Sequence, residues 1–230
     1  MNSSAQEHKQ TFTSCSYNYQ VPFGKLSKRF GNNSSVGFSF LKERDNNIFY
    51  GLESNYLFGN NVKDTNMFDN IVTSNGSLID GNGQYANVNL MERGFDVYLI
   101  GGYAYHLKEK DLSGIYLSFG IGFIQHKIFI DTKSQNIPQL EEEYKQGYDK
   151  LTNGISTKWE ASYKYYSKNG RLQVFGGINL TMAYTKNRRP YIFNEMLYTQ
   201  DEMSWDNLFG VNIGVIIPVH RRNEEKFHYY

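Results

Sequence analysis

Bulky apolar side chains alternate with small or polar ones along most of this chain. In Val36-Gly-Phe38-Ser-Phe40 the large residues are spaced by small ones, and Ile48, Tyr50, Leu52 and Tyr56 oppose Gly51, Glu53 and Asn55. Phe95, Val97, Leu99, Tyr103 and Tyr105 oppose Asp96, Gly102, Ala104 and His106. Ile115, Leu117, Phe119, Ile121 and Phe123 oppose Ser118, Gly120, Gly122 and His126. The same holds for Trp159, Ala161, Tyr163 and Tyr165 against Lys158, Glu160, Ser162 and Lys164. It continues for Val174, Ile178, Leu180, Met182 and Tyr184 against Phe175, Gly177, Asn179 and Thr181. Phe209, Val211, Ile213, Val215 and Ile217 against Gly210, Asn212 and Gly214 complete the set. A period of two belongs to β-strands, whose successive side chains point to opposite faces. The pattern predicts seven strands.

The connections between them sort into two kinds. Residues 43–46, 107–112 and 167–170 are short polar turns, whereas 59–92, 131–154 and 186–203 are long. Short and long alternate, so the turns gather at one end of the sheet and the loops at the other. That is the arrangement of an outer-membrane barrel, with short periplasmic turns and long extracellular loops. Parity then requires one more strand to carry the chain to the loop end. Residues 11–21 supply it, with Tyr17, Tyr19 and Val21 on one face, and 22–35 becomes a fourth long loop with a short helix near 24–30. The expected fold class is all-β, an eight-stranded antiparallel up-and-down transmembrane barrel. The expected division is a periplasmic arm at 1–10, the barrel at 11–219 and a periplasmic tail at 220–230, where His220-Arg-Arg222 is placed to meet inner-leaflet phosphates.

A soluble eight-stranded barrel is the competing reading. It would have to put the bulky row inside, where eight strands leave space only for a tightly filled core. It would also turn a face of Gly, Ser, Ala and Asn to water, where Lys, Glu and Thr are usual. Small residues with occasional charges suit a narrow lumen, and bulky apolar ones suit lipid. Aromatics make up 16% of the chain, with 19 Tyr and 16 Phe, which favours the membrane reading. No apolar run approaches the roughly 20 residues of a membrane-spanning helix, so any crossing is made by strands. Lys and Arg number 24 against 23 Asp and Glu, leaving no positive excess for general nucleic-acid binding. The single cysteine, Cys15, excludes an intramolecular disulfide and a Cys-based zinc site. Two readings of the first residues stay open: Ser3 and Ala5 have the small-x-small spacing of a signal cleavage site, and an ordinary polar arm fits as well.

Candidate chemistry is sparse. Glu53, Asp96, Lys158, Glu160 and Lys164 share the inward face, and an unpaired ion in such an interior costs several kcal/mol. They are expected to form a lumen charge network in which the two lysines pair with carboxylates, closing the barrel to general solute passage; an ion or proton path is the alternative. His106 and His126 lie near opposite strand ends and cannot share a site. The best imitation of a catalytic pair is His126 with Asp131 or Glu160, and no catalytic residue, metal site or cofactor is expected. Gly81-Asn-Gly83 reads as a loop turn rather than a phosphate loop. Glu141-Glu-Glu143 reads as a solvated helical turn, with a cation site as the other option.

Specificity is expected in the long loops. Residues 59–92 hold Met67, Phe68, Ile71, Val72, Leu78 and Ile79, more apolar surface than a solvated loop displays. Either this loop folds back over the barrel mouth or it presents a patch to a partner. Tyr144 and Tyr148 in the next loop, and Arg188, Arg189 and Tyr191 in the last, join Phe68 as interaction candidates. For the two arginines, pairing with residues 141–143 or with lipopolysaccharide stands beside a protein-docking role.

Gly31-Asn-Asn-Ser-Ser opening into a strand, Gly147-Tyr-Asp-Lys-Leu-Thr-Asn-Gly154, Lys186-Asn-Arg-Arg-Pro-Tyr191 and the closing Leu208-to-Pro218 strand carry a family likeness. On them the chain resembles the small outer-membrane β-barrel proteins of Bacteroidota, a porin-like or outer-membrane barrel-domain family. The resemblance spans nearly the whole chain and transfers no catalytic residue. It implies a non-enzymatic structural or accessory subunit of a larger outer-membrane machine, such as the β-barrel assembly complex or the type IX secretion apparatus. Fold likeness alone does not establish that role. The alternative is a stand-alone barrel that binds a surface ligand or passes small hydrophobic solutes. Outer-membrane lipids and lipopolysaccharide are the expected surroundings.

Overall fold

The computed structural model describes residues 10–44, 46–108, 111–133, 135–167, 173–199 and 202–218. Nearly all of the arm at 1–10, all of the tail at 220–230 and parts of the three short turns lie outside those residues. Eight strands close into one antiparallel barrel: β1 (Gln10–Gly24), β2 (Asn33–Glu43), β3 (Ile48–Gly59), β4 (Asn89–Lys108), β5 (Asp111–Asp131), β6 (Thr152–Tyr166), β7 (Gln173–Asn187) and β8 (Met203–Pro218). Each pairs with its sequence neighbours, and β1 pairs with β8 to close the ring. The all-β up-and-down barrel expected from the alternation is the fold found. β4 and β5 run 20 and 21 residues, well past the apolar row, and form a ribbon projecting at the long-loop end.

Register fixes the width. One row of partners runs Phe95, Gln125, Asn153, Lys186 and Met203; in the other direction it runs Phe95, Tyr56, Val36, Tyr17 and Ile213. The row therefore returns to β8 displaced from Met203 to Ile213, an offset of 10 residues. Eight strands with that stagger tilt by about 40° and enclose a space that side chains can fill.

The outward face is apolar over a bounded height. Val211 and Ile213 on β8, Leu52 on β3, Leu99 on β4, Ile121 on β5 and Ile178 on β7 are all more than half exposed. Aromatic residues flank this zone on both sides. Tyr56, Phe95, Tyr184 and Trp205 stand toward the long loops, and Tyr50, Tyr103, Tyr105, Tyr163 and Tyr165 toward the short turns. From Trp205 to Ile217 on β8 the belt rises about 30 Å, taking ~3.3 Å per residue and a ~40° tilt. That equals the hydrocarbon thickness of a bilayer.

The interior is layered. Near the short turns Phe12, Leu41, Phe49, Tyr98, Ile100, Tyr116 and Ile216 form one buried apolar cluster. At the other end Leu57, Ile124, Ala183 and Leu208 from the strands join Leu26, Phe30, Met67, Phe68, Leu78 and Tyr148 from the loops in a second. The first loop carries the short helix α1 (Leu26–Arg29). Leu26 and Phe30, four positions apart and so on one helical face, are buried in the mouth, while Lys25 and Lys28 face out. Of the two expectations for residues 59–92, the fold-back holds: Met67, Phe68 and Leu78 are buried over the mouth. A small hairpin pairs Leu78–Ile79 with Tyr85–Ala86, and Gly83 turns it at φ +78°, a conformation glycine adopts freely. The acidic turn forms the four-residue helix α2 (Glu142–Lys145).

Candidate functional site

Between the two apolar clusters, the barrel holds charge. Lys158 pairs with Glu53 and lies 3.6 Å from Glu160. Asn55 bridges Glu53 and Asp96, donating to them at 2.9 and 2.6 Å, and Asn212 donates to Glu160 at 2.9 Å. The sequence-predicted residues Glu53, Asp96, Lys158 and Glu160 are thus brought together. Lys164 lines the same cavity as Glu53, Lys158 and Glu160 but makes no ion pair with them, a correction to the expectation that both lysines pair with carboxylates. Six residues nearer the short turns, its ammonium lies 4.4 Å from the Phe12 ring centre and 4.2 Å from that of Tyr116. No carboxylate among the described residues reaches ion-pair distance of it. Burying the cation against ring faces replaces part of its lost hydration. Around these groups the lumen leaves a cavity of only about 30 Å³, room for one or two waters.

Closer to the mouth, a second polar group sits beneath the loops. Asp206 Oδ2 accepts from Thr185 at 2.7 Å and lies 3.1 Å from His126 Nε2 and 3.2 Å from Arg29 Nη2. Arg29 Nη1 also donates to Thr152 at 2.9 Å, and Asn33 donates to Glu92 at 2.8 Å. The partner of His126 is therefore Asp206, not Asp131 or Glu160. His126 is 1% exposed and covered by Phe30, so a substrate in solvent does not meet this pair. The β8 alternation expected from sequence begins at Phe209. Carried upward, with Trp205 out and Asp206 in, the same rule reaches this residue. Near the short turns, Glu43 lies 2.7 Å from His106 Nε2 and accepts from Tyr116 at 3.1 Å. Among the described residues no cluster is arranged to hold a metal ion.

The long loops interlock. Phe68 and Tyr148 are buried with rings 5.4 Å apart, and Phe193 packs on Tyr148 at 5.3 Å. Phe193 also packs closely on Gly147, where an added Cβ would meet its ring at 2.3 Å. Arg189 reaches both oxygens of Asp149, with Nε at 2.8 Å, and Lys150 reaches Asp64 at 2.7 Å and Glu195 at 3.2 Å. The hydrogen bonds that Arg189 donates to the Asp149 carboxylate raise its pKa above the ordinary value. Arg188 donates to Asn153. The partners of Arg188 and Arg189 are therefore Asn153, Asp149 and Gln146 rather than residues 141–143; Glu142 is taken by Lys145 at 2.8 Å, which holds its carboxyl below the usual range.

As interaction candidates the six residues divide. Phe68 and Tyr148 are cap core, out of reach of a partner, because three loops need an apolar centre to pack on. Arg189 is engaged within the cap, Arg188 is exposed and donates to Asn153 of β6, and Tyr191 is half-buried against Tyr198 at 5.2 Å. Tyr144, like Arg188, stands exposed. Met196, Leu197 and Tyr198, absent from the sequence candidates, are exposed by 65, 61 and 80% along the turn and second strand of a hairpin that pairs Tyr191–Ile192 with Leu197–Tyr198. Three apolar residues in succession within a polar loop were the available signal. On the barrel wall, a shallow hollow of about 550 Å³ is floored by Gly101 and Ala161 and rimmed by Tyr103, Phe119, Trp159 and Leu180.

No protein-family model matches the chain, and no curated protein matches it in sequence. Among solved structures it is similar to Neisserial surface protein A (NspA), at 8% identity and a TM-score of 0.44, over 90% of this chain and 96% of that one. It is similar also to the N-terminal β-barrel domain of OprF from Pseudomonas aeruginosa, at 13% identity and a TM-score of 0.40, over 91% of this chain and 100% of that one. A third is Ail, the attachment invasion locus protein of Yersinia pestis, at 9% identity and a TM-score of 0.40, over 91% and 99%.

Proposed function

We propose that this protein is an integral outer-membrane barrel of a Gram-negative bacterium. Its role is non-enzymatic, that of a structural or accessory subunit docking on a larger outer-membrane assembly through its outer loops or wall. The observation that carries this reading is the combination of a stoppered lumen with an exposed apolar tip. A barrel filled at three levels by side chains conducts no solutes. A braced cap that nevertheless displays Met196, Leu197 and Tyr198 is built to present them. The likeness of its loop motifs to small barrels of Bacteroidota agrees with membership in an assembly such as the β-barrel assembly or type IX secretion machinery.

The test is purification of the tagged chain from its native membrane in mild detergent. A stoichiometric partner is expected, and Leu197→Asp with Tyr198→Asp should abolish its recovery while leaving the barrel assembled. A monomer in both cases contradicts the accessory role. The alternative, a stand-alone barrel that binds a surface ligand or passes hydrophobic solutes, draws on the wall hollow around Gly101 and Ala161. Loss of ligand binding on Ala161→Phe, with no partner recovered, would favour it.

A further inference from the structure

Arg93 on β4 and Lys127 on β5 are register partners on the outward face. Like charges set opposite each other across two strands destabilise a sheet, so their pairing calls for a counter-charge from outside the wall. The protein supplies little. Arg93 donates to the Glu92 carbonyl at 2.8 Å and to the Met91 sulfur at 3.1 Å, and its guanidinium lies 5.8 Å from the Phe129 ring centre. No carboxylate among the described residues pairs with it. Lys127, 42% exposed, has Asp149 at 3.9 Å, a carboxylate already engaged by two nitrogens of Arg189. The remaining acids near Lys127 are Asp131 and Glu142, and Glu142 is held by Lys145.

The pair belongs to a one-sided band. Lys186 on β7 follows Tyr184 on the outward face, and Arg188 follows it, tethered to Asn153 of β6. On the strands that flank the band the outward residues are apolar instead: Phe58 of β3 partners Arg93, Met203 of β8 partners Lys186, and Phe23 of β1 follows beyond. The cations begin immediately above the aromatic row of Phe95 and Tyr184, so their alkyl stems lie along apolar wall while their heads reach the headgroup level.

We propose that this band binds the phosphate of a phosphorylated glycolipid of the surrounding leaflet, clamped between Arg93 and Lys127. The proposal rests on the membrane reading above. A guanidinium fork suits two phosphate oxygens, and the adjacent ammonium adds a point charge. Seating at the edge of the hydrocarbon selects a phosphate that arrives attached to acyl chains over one free in water.

The test uses the full chain in non-ionic detergent and measures binding of bisphosphorylated lipid A by native mass spectrometry. The comparison ligands are the same lipid without its phosphates and inorganic phosphate alone. Arg93→Gln with Lys127→Gln should lower affinity for lipid A at least tenfold, to the level the unaltered protein shows for the dephosphorylated lipid; Lys25→Gln, outside the band, should change nothing. Equal binding by the double variant, or indifference of the unaltered protein to the phosphates, overturns the proposal. Inorganic phosphate competing as well as lipid A overturns it too. If the double variant does not fold, Lys127→Gln alone should lower lipid A affinity at least threefold, and no change there overturns it. Heat-modifiable migration on gels reports the barrel separately, so a folded barrel that ignores phosphate leaves the membrane reading in place.

Discussion

The ring of Phe30 stands edge-on to that of His126, 5.8 Å away with the planes crossing at 89°. Phe30 directly follows α1 and His126 sits on β5, so this contact joins the first loop to the barrel's upper polar group. Phe30 also bridges to Val62 of the second loop. Replacing it by Ala should cost about 3–5 kcal/mol, as for other fully buried rings, read as a lower urea midpoint of the barrel in micelles. Planar-bilayer conductance should stay at baseline, because the Lys158 layer below remains closed.

Lys158 compensates two buried carboxylates, Glu53 and Glu160. Lys158→Met should therefore destabilise by about 3–5 kcal/mol, the usual cost of leaving a buried charge unpaired. Adding Glu53→Gln should recover part of the loss. The check is a double-mutant cycle on urea midpoints, in which a sum of the two single effects would deny the pairing.

Arg189 grips Asp149 through two nitrogens, a geometry that lysine does not reproduce. Arg189→Lys should loosen the cap by about 1–3 kcal/mol without unfolding the barrel. Faster proteolysis and amide exchange confined to residues 135–151 and 188–199 would be the sign; unchanged loop protection would remove the cap's proposed brace.

How much of this was legible beforehand follows from the range of each interaction. The strands could be read because a period of two is local, and Phe209 to Val215 repeat it without interruption. Glu53 and Lys158 could be placed on one face by the same rule. Whether Lys164 would meet a carboxylate or the rings of Phe12 and Tyr116 depends on the stagger between strands, which no single strand encodes. Asp206 and His126 are 80 positions apart on strands that do not pair, and meet across the lumen only when the ring closes. Phe68 and Tyr148 read as exposed candidates because loops are taken as surface, and their burial depends on three loops packing on one another.

Val211 lies in the outward belt of β8 and is half exposed. An arginine there should cost about 2–4 kcal/mol of barrel stability in lipid, the mid-bilayer value for a cation on a barrel wall. The measurement is a folding titration into vesicles, and a cost near zero would place Val211 in water.

The chain has two tryptophans, and they stand at different heights of the outward wall: Trp159 within the apolar belt and Trp205 in the aromatic row toward the long loops. Fluorescence quenching by lipids brominated at set depths, read on Trp159→Phe and Trp205→Phe variants in vesicles, tests the placement directly. Trp159 should be quenched most by bromines deep in the acyl chains and Trp205 most by bromines near the headgroups. Emission from both that ignores every brominated lipid, with the protein soluble in the absence of detergent, would contradict the membrane assignment at its root.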